Sequence, residues 1–339
     1  MPLTCSPLPS LVMVCSLGGA AFAQNPGEST PYAAGDSLAI VDHRAERVPR
    51  DAGVAVYGAV VSAESCVYDP ARGLIAVVNR GERPDVQLND AFVSLLRADG
   101  SVHTPRWIGA QAPAARAELD PPLALNEPLG SEIAGGTLYV ADRDGGSGPD
   151  DPTVAVVRRF DLATGRPAGE TRIDGSPWVN DLAVGADGTV YATQTGDFGP
   201  EPDLSSFRVY RITPAGEVGV LVEGAPLWMP NGIALDERGQ LVVLNSGDSA
   251  VHTFSLAGEL LRTEYAAQGG NDGIVVLPEG TRYVSSVFEG GVSRIRPGRP
   301  AELIASGLPG AASMCYEPTL GRLVVPLAGS NGLAFVQID

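Results

Sequence analysis

One pattern of apolar and polar residues recurs six times along the chain. An apolar strand leads into a polar turn that contains glycine, and a second apolar strand follows. The six copies read SCVYDPARGLIAVVN, LGSEIAGGTLYVAD, DLAVGADGTVYATQ, NGIALDERGQLVVLN, DGIVVLPEGTRYVSS and SMCYEPTLGRLVVPL. Their turn glycines, which lie 63, 52, 51, 41 and 41 residues apart, are Gly73, Gly136, Gly188, Gly239, Gly280 and Gly321.

An all-β repeat of roughly 40 to 50 residues is typical of a β-propeller. Further strands such as VAVVRRFDL, FRVYRIT and VHTFSLA lie between the copies, and helical periodicity is nearly absent. A β-sandwich with similar turns would not explain six copies in one register. We therefore predict an all-β, six-bladed β-propeller over residues 38–339, with a four-stranded antiparallel sheet in each blade. The last copy has three strands, and we expect LAIVDH or GVAVYGAVV near the N-terminus to supply its fourth and close the ring.

The N-terminal segment resembles a secretory signal. The apolar run LVMVCSLGGAAFA ends in the small-residue pattern Ala21-Phe22-Ala23, although residues 1–23 carry no charge where a basic start is usual. We predict a signal peptide over residues 1–23, a mobile leader over residues 24–37, and a secreted or periplasmic protein.

Two of the four cysteines lie in this predicted signal, which leaves Cys66 and Cys315 in the mature chain. They fall on the innermost strands of the first and last blades, which are neighbours once the ring closes. When the first and last copies are aligned on their turn glycines, Cys66 and Cys315 differ by one position, so their side chains point to opposite faces of their sheets. Side chains that face each other across adjacent blades must have this relationship. The two thiols either face each other, which would allow a disulfide, or face apart.

Composition and charge restrict the partners. The 339 residues carry a net charge of −17, which argues against nucleic acid or an anionic membrane and is compatible with cations. Apolar residues make up 44% of the chain, so the 42 glycines and 28 prolines indicate a turn-rich globular protein and not a disordered one. We expect a monomer that acts on a small molecule, without a nucleic-acid or membrane partner.

Polar side chains mark the starts of the innermost strands. In a propeller these strands line the central channel and begin on one face of the disc. Asn180, Asn231 and Asp272 each precede their turn glycine by eight residues, and Glu64 precedes Gly73 by nine because its turn is one residue longer. The other two blades place Pro128, preceded by Asn126 and Glu127, and Ser313 at this point.

Two carboxylates and two amides that converge on one axis match a hard divalent cation. Calcium binds six to eight oxygen atoms, and two carboxylates would neutralise its charge. Asparagine or aspartate at a strand start is commonly only a turn former, but four such residues in phase favour a ring. We therefore predict one divalent cation, Ca²⁺, at Glu64, Asn180, Asn231 and Asp272. Gly232 is expected to let the backbone turn outward behind Asn231.

A dedicated zinc site is not indicated. The ring positions hold no cysteine and none of the histidines His43, His103 and His252.

The segments AESCVYDPARGLIAVVN, VNDLAVGADGTVYATQ, PNGIALDERGQLVVLN and NDGIVVLPEGTRYVSS resemble the senescence marker protein/gluconolactonase family. The resemblance implies a six-bladed propeller whose metal is held by Glu64, Asn231 and Asp272. It also implies that Asn180 contacts the substrate or metal-bound water, and that Asp272 is the general base for lactone hydrolysis. The paraoxonase-like lactonases use a similar ring, but the sequence AES at Glu64 favours the first family.

The predicted function is therefore metal-dependent hydrolysis of a sugar lactone or a similar cyclic ester. The alternative is a non-catalytic propeller that binds a ligand or a partner protein on its disc face. The chain has no Gly-x-Ser-x-Gly motif, no phosphate-binding glycine loop and no His-Glu-x-x-His motif. The acidic stretch Asp142–Asp151 is either a second cation site or a solvated insertion, and Trp178 and Trp228 either line the pocket or pack between blades.

Overall fold

Six small antiparallel sheets surround a central channel. The structure is a computed structural model, and it describes residues 39–41, 47–49, 59–81 and 88–338. The predicted signal peptide (residues 1–23) and leader (residues 24–37) lie outside the described residues. The prediction of a six-bladed β-propeller is confirmed.

Each of the first five blades is a four-stranded meander that runs from the channel to the rim. Blade one contains β3 (Ala63–Asp69), β4 (Leu74–Asn79), β5 (Phe92–Arg97) and β6 (Val102–Ile108). Blade two contains β7 (Ser131–Ala134), β8 (Thr137–Asp144), β9 (Val154–Asp161) and β10 (Pro167–Ile173). Blade three contains β11 (Leu182–Val184), β12 (Val190–Gln194), β13 (Arg208–Ile212) and β14 (Val218–Glu223).

The remaining blades follow the same order. Blade four contains β15 (Pro230–Leu235), β16 (Leu241–Asn245), β17 (Ala250–Phe254) and β18 (Leu260–Tyr265). Blade five contains β19 (Asn271–Val276), β20 (Arg282–Ser286), β21 (Gly291–Ile295) and β22 (Glu302–Ser306). Blade six contains β23 (Cys315–Glu317), β24 (Arg322–Leu327) and β25 (Gly332–Gln337). A short helix, α1 (Pro113–Arg116), and a 3₁₀ turn at Leu204–Ser206 lie on the connections.

The six turn glycines occupy equivalent positions, as the repeat predicts. Each lies between the first and second strand of its blade, with φ between 64° and 85°. A side chain disfavours this left-handed conformation. Nothing lies within 4 Å of a Cβ added at Gly136 or Gly239, so backbone conformation and not crowding requires glycine at these two turns.

The hydrophobic core lies between blades. Every residue of β4 is buried, as is every residue of β16, because neighbouring blades cover both faces of these second strands. The contact between blades one and six contains Ile75, Val324 and Phe335. Packing across each blade boundary therefore fixes where the innermost strands begin.

Cys66 and Cys315 form a disulfide in the contact between blades one and six, with their Cα atoms 5.5 Å apart. Of the two orientations that the sequence leaves open, the thiols adopt the facing one. Cys66 N–H also donates to Ser313 O, and Ser313 N–H donates to Glu64 O, at 3.1 and 3.0 Å. A covalent bond and backbone hydrogen bonds thus join the first blade to the last.

The fourth strand of blade six is only partly as expected. Strand β1 (Ala39–Val41), from the LAIVDH segment, lies beside β25, but it pairs with β2 (Arg47–Pro49) and not with β25. Most of GVAVYGAVV lies outside the described residues. Among its last three residues, Ala59 and Val60 are buried in the same cluster as Cys315 and Phe335. In the described part of the chain, no helix is long and apolar enough to cross a membrane.

Candidate metal centre at the channel mouth

One face of the disc carries the starts of all first strands and the ends of all second strands, and we call its centre the channel mouth. The innermost strands approach one another closely there. A Cβ added to Gly232 would lie 2.2 Å from Asp272 O, and one added to Gly273 would lie 2.4 Å from Ser313 Cα. Close approach of the next blade, and not an outward turn of the backbone, is therefore the reason that glycine follows Asn231.

Asn231 and Asp272 are in direct contact across the boundary between blades four and five. Both side chains are buried, and Asn231 Nδ2 donates to Asp272 Oδ2 at 3.1 Å. The amide nitrogen of Asn231 therefore faces Asp272, and its amide oxygen points away from that carboxyl group. Asn231 Oδ1 is buried and has no hydrogen-bond partner among the described residues. Buried amide oxygens are rarely left in this state.

Glu64 lies close to this pair at the start of β3. Burial raises the pKa of Glu64, and the guanidinium of Arg80, 3.8 Å from its Oε2, opposes that rise. Burial also raises the pKa of Asp272 well above its usual range, and repulsion from Glu64 and then Asp181 raises it further. The structure thus brings Glu64, Asn231 and Asp272 together. Their carboxylates repel each other in a buried place, and a cation would relieve that repulsion.

Asn180 lies at the mouth, two residues before β11. Its backbone bridges blades two and three, because Gly130 N–H donates to Asn180 O at 2.8 Å. Its side-chain nitrogen donates to Thr195 Oγ1 of its own blade at 3.1 Å. The side chain is half-buried, so it is more accessible than those of Asn231 and Asp272.

The donor set at the mouth fits a hard cation. Within residues 59–81 and 88–338, no cluster of three or more His, Cys, Asp or Glu side chains forms a metal-binding group. The candidate ligands are instead two carboxylates, Glu64 and Asp272, and the unpartnered amide oxygen of Asn231. Oxygen donors of this kind suit calcium and do not suit zinc.

Three charged residues at the mouth were not identified from the sequence as a group. Glu127 forms ion pairs with Arg80 through Oε1 and with Arg143 through Oε2. Asp142 fixes the Glu127 backbone by accepting its N–H at 2.7 Å. Arg80 and Arg143 each lie seven residues after the turn glycine of their blade. A comparison of the residues seven positions after each turn glycine, as well as those eight before it, would have identified Arg80 and Arg143 from the sequence.

Two more carboxylates lie deeper in the channel. Burial raises the pKa of Glu132 to about 7, and burial together with repulsion from Glu132 raises that of Asp181 to about 7. Asp181 accepts backbone hydrogen bonds from Leu182 at 2.9 Å and from Ile233 at 3.3 Å. A cavity of about 340 Å³ adjoins both carboxylates. Residues of all six innermost strands line this cavity, but Glu64, Asn231 and Asp272 do not.

The stretch Asp142–Asp151 is not wholly an insertion, since its first three residues belong to β8. Asp142 and Asp144 form ion pairs with Arg158, and Asp151 accepts a hydrogen bond from Ser147 Oγ at 2.6 Å. These contacts occupy three of the four carboxylates that a second cation could use in this stretch.

The two tryptophans pack against other aromatic rings. Trp178 stacks on Phe198 with 5.8 Å between ring centroids, and Trp228 meets the edge of Phe207 in blade three at 5.7 Å. Trp228 therefore packs between blades, while 39% of its surface remains exposed beside the mouth.

The fold is similar to that of several solved structures. A gluconolactonase from Xanthomonas campestris matches with a TM-score of 0.56 at 18% identity, over 92% of this chain and 97% of its own. The calcium-binding protein regucalcin from Agrobacterium tumefaciens matches with a TM-score of 0.54 at 17% identity, over 87% and 85%. A streptogramin B lyase matches with a TM-score of 0.51 at 11% identity, over 84% and 85%. A scan against protein-family models finds no match, and neither does a search of curated proteins.

Proposed function

We propose that this protein, whose structural neighbours are gluconolactonase- and regucalcin-like proteins, hydrolyses a sugar lactone or a similar cyclic ester with the help of one divalent cation, Ca²⁺. The observation that carries the proposal is the unpartnered, buried oxygen of Asn231 beside the Asp272 carboxylate. The names of two neighbours, a gluconolactonase and a calcium-binding protein, support the same reaction and the same ion.

Glu64, Asn231 and Asp272 would hold the cation. When bound, such a cation polarises the ester carbonyl and stabilises negative charge on its oxygen. Asp272 would also accept a proton from the attacking water, and the hydrogen bond from Asn231 Nδ2 holds its carboxylate in one orientation. Asn180, half-buried at the mouth, would orient the substrate. Burial between neighbouring blades excludes bulk water from Asp272, only 4% of whose surface is exposed.

The proposal includes export of the protein. Disulfides persist in oxidising compartments and are rare in the cytosol, so the Cys66–Cys315 bond supports the signal peptide that the N-terminal sequence predicts.

The test is a panel of sugar lactones, aliphatic lactones and linear esters, assayed with added calcium and with a chelator. The matched variants are Asp272→Asn and Asp161→Asn. Asp161 accepts a hydrogen bond from Thr164 at a turn on the opposite face of the disc. We expect hydrolysis that needs the cation, is lost in Asp272→Asn and survives in Asp161→Asn.

If Asp272→Asn hydrolyses lactones as fast as the wild type, or if chelation changes nothing, the ring is structural. A propeller that only binds a ligand on its disc face would then be the better interpretation. The same fold occurs in a streptogramin B lyase, so the fold by itself does not settle the reaction.

A further inference from the structure

Cationic side chains lie on one side of the channel mouth. The position seven residues after the turn glycine is arginine in blades one and two, where it is Arg80 and Arg143. In the other four blades the equivalent residues are uncharged, and they are Thr195, Ser246, Val287 and Ala328. This position directly follows the second strand in five blades and is the next-to-last residue of that strand in blade two, so all six residues lie at the mouth. The mouth is therefore electrostatically asymmetric.

Glu127 fixes the position of Arg80. Its two carboxylate oxygens pair with Arg80 Nη2 and Arg143 Nη2, one oxygen to each guanidinium. Arg80 Nη1 lies 3.8 Å from Glu64 Oε2, which is beyond hydrogen-bond distance. Arg80 Nε is buried and has no hydrogen-bond partner among the described residues. Nη1 of this guanidinium, which faces Glu64 beyond hydrogen-bond distance beside the proposed metal site, is thus the donor that remains available to a ligand.

The charges at the mouth favour an anion beside the cation. Glu64 and Asp272 together balance a divalent ion, and Arg80 shares the carboxylate of Glu127 with Arg143, so Arg80 has no carboxylate to itself. A guanidinium beside a metal ligand disfavours cation binding at that ligand. An anion bound at Arg80 would reduce this repulsion, so anion and cation should each strengthen the binding of the other.

We propose that Arg80 binds a carboxylate on the substrate, and that the substrate is a cyclic ester with a carboxylate close to its ring. This inference rests on the proposed function, and it adds the substrate class. The planar guanidinium matches a carboxylate, as its pairing with Glu127 illustrates. Glu127 and Arg143 are positioning residues, because they act through Arg80.

The first test compares two substrates that differ only in charge. One is a six-membered lactone with a carboxylate on the carbon beside the ring oxygen, and the other carries a neutral carboxamide there. With excess calcium, the wild type should prefer the carboxylate by about tenfold in kcat/KM, the value of one charge-assisted hydrogen bond.

The ratio of the two kcat/KM values should fall close to one in Arg80→Gln. It should fall to an intermediate value in Arg80→Lys, which keeps the positive charge but loses the planar pair of N–H donors. The matched control is Arg238→Gln, in the β15–β16 turn on the opposite face, which should keep the wild-type ratio. An equal preference in the wild type, or an unchanged ratio in Arg80→Gln, would overturn the assignment.

The second test does not depend on hydrolysis. Tetrahydropyran carboxylate, which lacks the ester carbonyl, is titrated by calorimetry into calcium-loaded protein. The wild type should bind it, Arg80→Gln should lose at least about tenfold in affinity, and the ligand should raise the affinity for calcium. If no lactone is hydrolysed, the proposed function fails, and this titration still decides the role of Arg80. Equal binding by wild type and Arg80→Gln, or no binding by either, would refute it.

Discussion

Asn231 Nδ2 donates to Asp272 Oδ2 over 3.1 Å, while Asn231 Oδ1 is buried and has no partner among the residues that the structure describes. A buried polar atom without a partner costs free energy, unless a ligand satisfies it. The free energy thus lost in the protein without metal is recovered on cation binding. The pair therefore connects the stability of the fold to the occupancy of the site.

The first prediction concerns Asn231→Ala. This substitution removes the unpartnered oxygen, which stabilises the calcium-free protein, and the hydrogen bond to Asp272, whose loss destabilises it. The melting temperature of calcium-free protein should therefore change little, while calcium affinity should fall at least about tenfold. Wild-type protein at a calcium concentration one hundred times Kd should gain about 2.7 kcal/mol of stability, and the variant should lose most of this gain. Calorimetric titration and thermal melts with and without calcium measure both effects.

Asn245→Ala is the matched control for this prediction. Asn245 Oδ1 accepts the Trp228 N–H at 3.0 Å, so it has the partner that Asn231 Oδ1 lacks. Its loss should destabilise the calcium-free protein by about 1–3 kcal/mol and leave the rise on adding calcium intact. If the two variants behave alike, the oxygen of Asn231 has no special role.

The second prediction separates cation binding from substrate orientation. Glu64→Gln removes a charge from the proposed ligand set, so it should lower calcium affinity, and excess calcium should partly restore hydrolysis. Asn180→Ala should leave calcium affinity close to that of the wild type and raise KM or lower kcat, because its side chain is tied to Thr195 of its own blade. Loss of calcium binding in Asn180→Ala would make it a fourth ligand.

The third prediction concerns the disulfide that joins the first and last blades. The bond between Cys66 and Cys315 spans 249 residues of sequence, and cross-links over long loops stabilise most, by about 5.5 kcal/mol for this loop in the chain-entropy description. The double variant Cys66→Ser, Cys315→Ser should therefore melt at a lower temperature than oxidised wild type. Titration should find neither of these thiols free in the unreduced protein. Two free thiols, with unchanged mobility on a non-reducing gel, would refute the bond.

The sequence predicts those parts of the fold that repeat. The turn glycines need a left-handed backbone, which leaves a mark in every copy, and Glu64, Asn231 and Asp272 keep a constant distance from them. The orientation of Cys66 towards Cys315 depends on how the ring closes. The alternation of side chains along a strand cannot decide whether the two thiols face each other or face apart.

The contacts of Arg80 are likewise set by packing between blades. Arg80 meets Glu127 of the next blade, 47 residues away, and local periodicity does not specify such a pairing. The acidic neighbours of Asp142 suggest either a cation site or a solvated insertion, but its partner is Arg158 across the sheet. Contacts of this kind depend on tertiary packing and have no short-range signature.

The last prediction concerns the carboxylates deeper in the channel. Glu132 and Asp181 have pKa values of about 7 in the folded protein, raised from ordinary values of 4.5 and 3.8. Between about pH 4.5 and 7 the folded state therefore binds protons that the unfolded state has released, so the free energy of unfolding falls as pH rises through this window. For Glu132 the fall is at most about 3 kcal/mol.

Glu132→Gln should make the melting temperature less dependent on pH between pH 5 and 8, because glutamine keeps the oxygen that accepts the Ile133 N–H and cannot ionise. The loss of this charge also lowers the pKa of Asp181, since Glu132 helps to raise it, and this flattens the curve further. Thermal melts across this pH range, without added metal, measure the effect. Glu259→Gln, at an exposed turn before β18, should keep the wild-type slope. Equal slopes in Glu132→Gln and wild type would show that ionisation of Glu132 does not oppose folding.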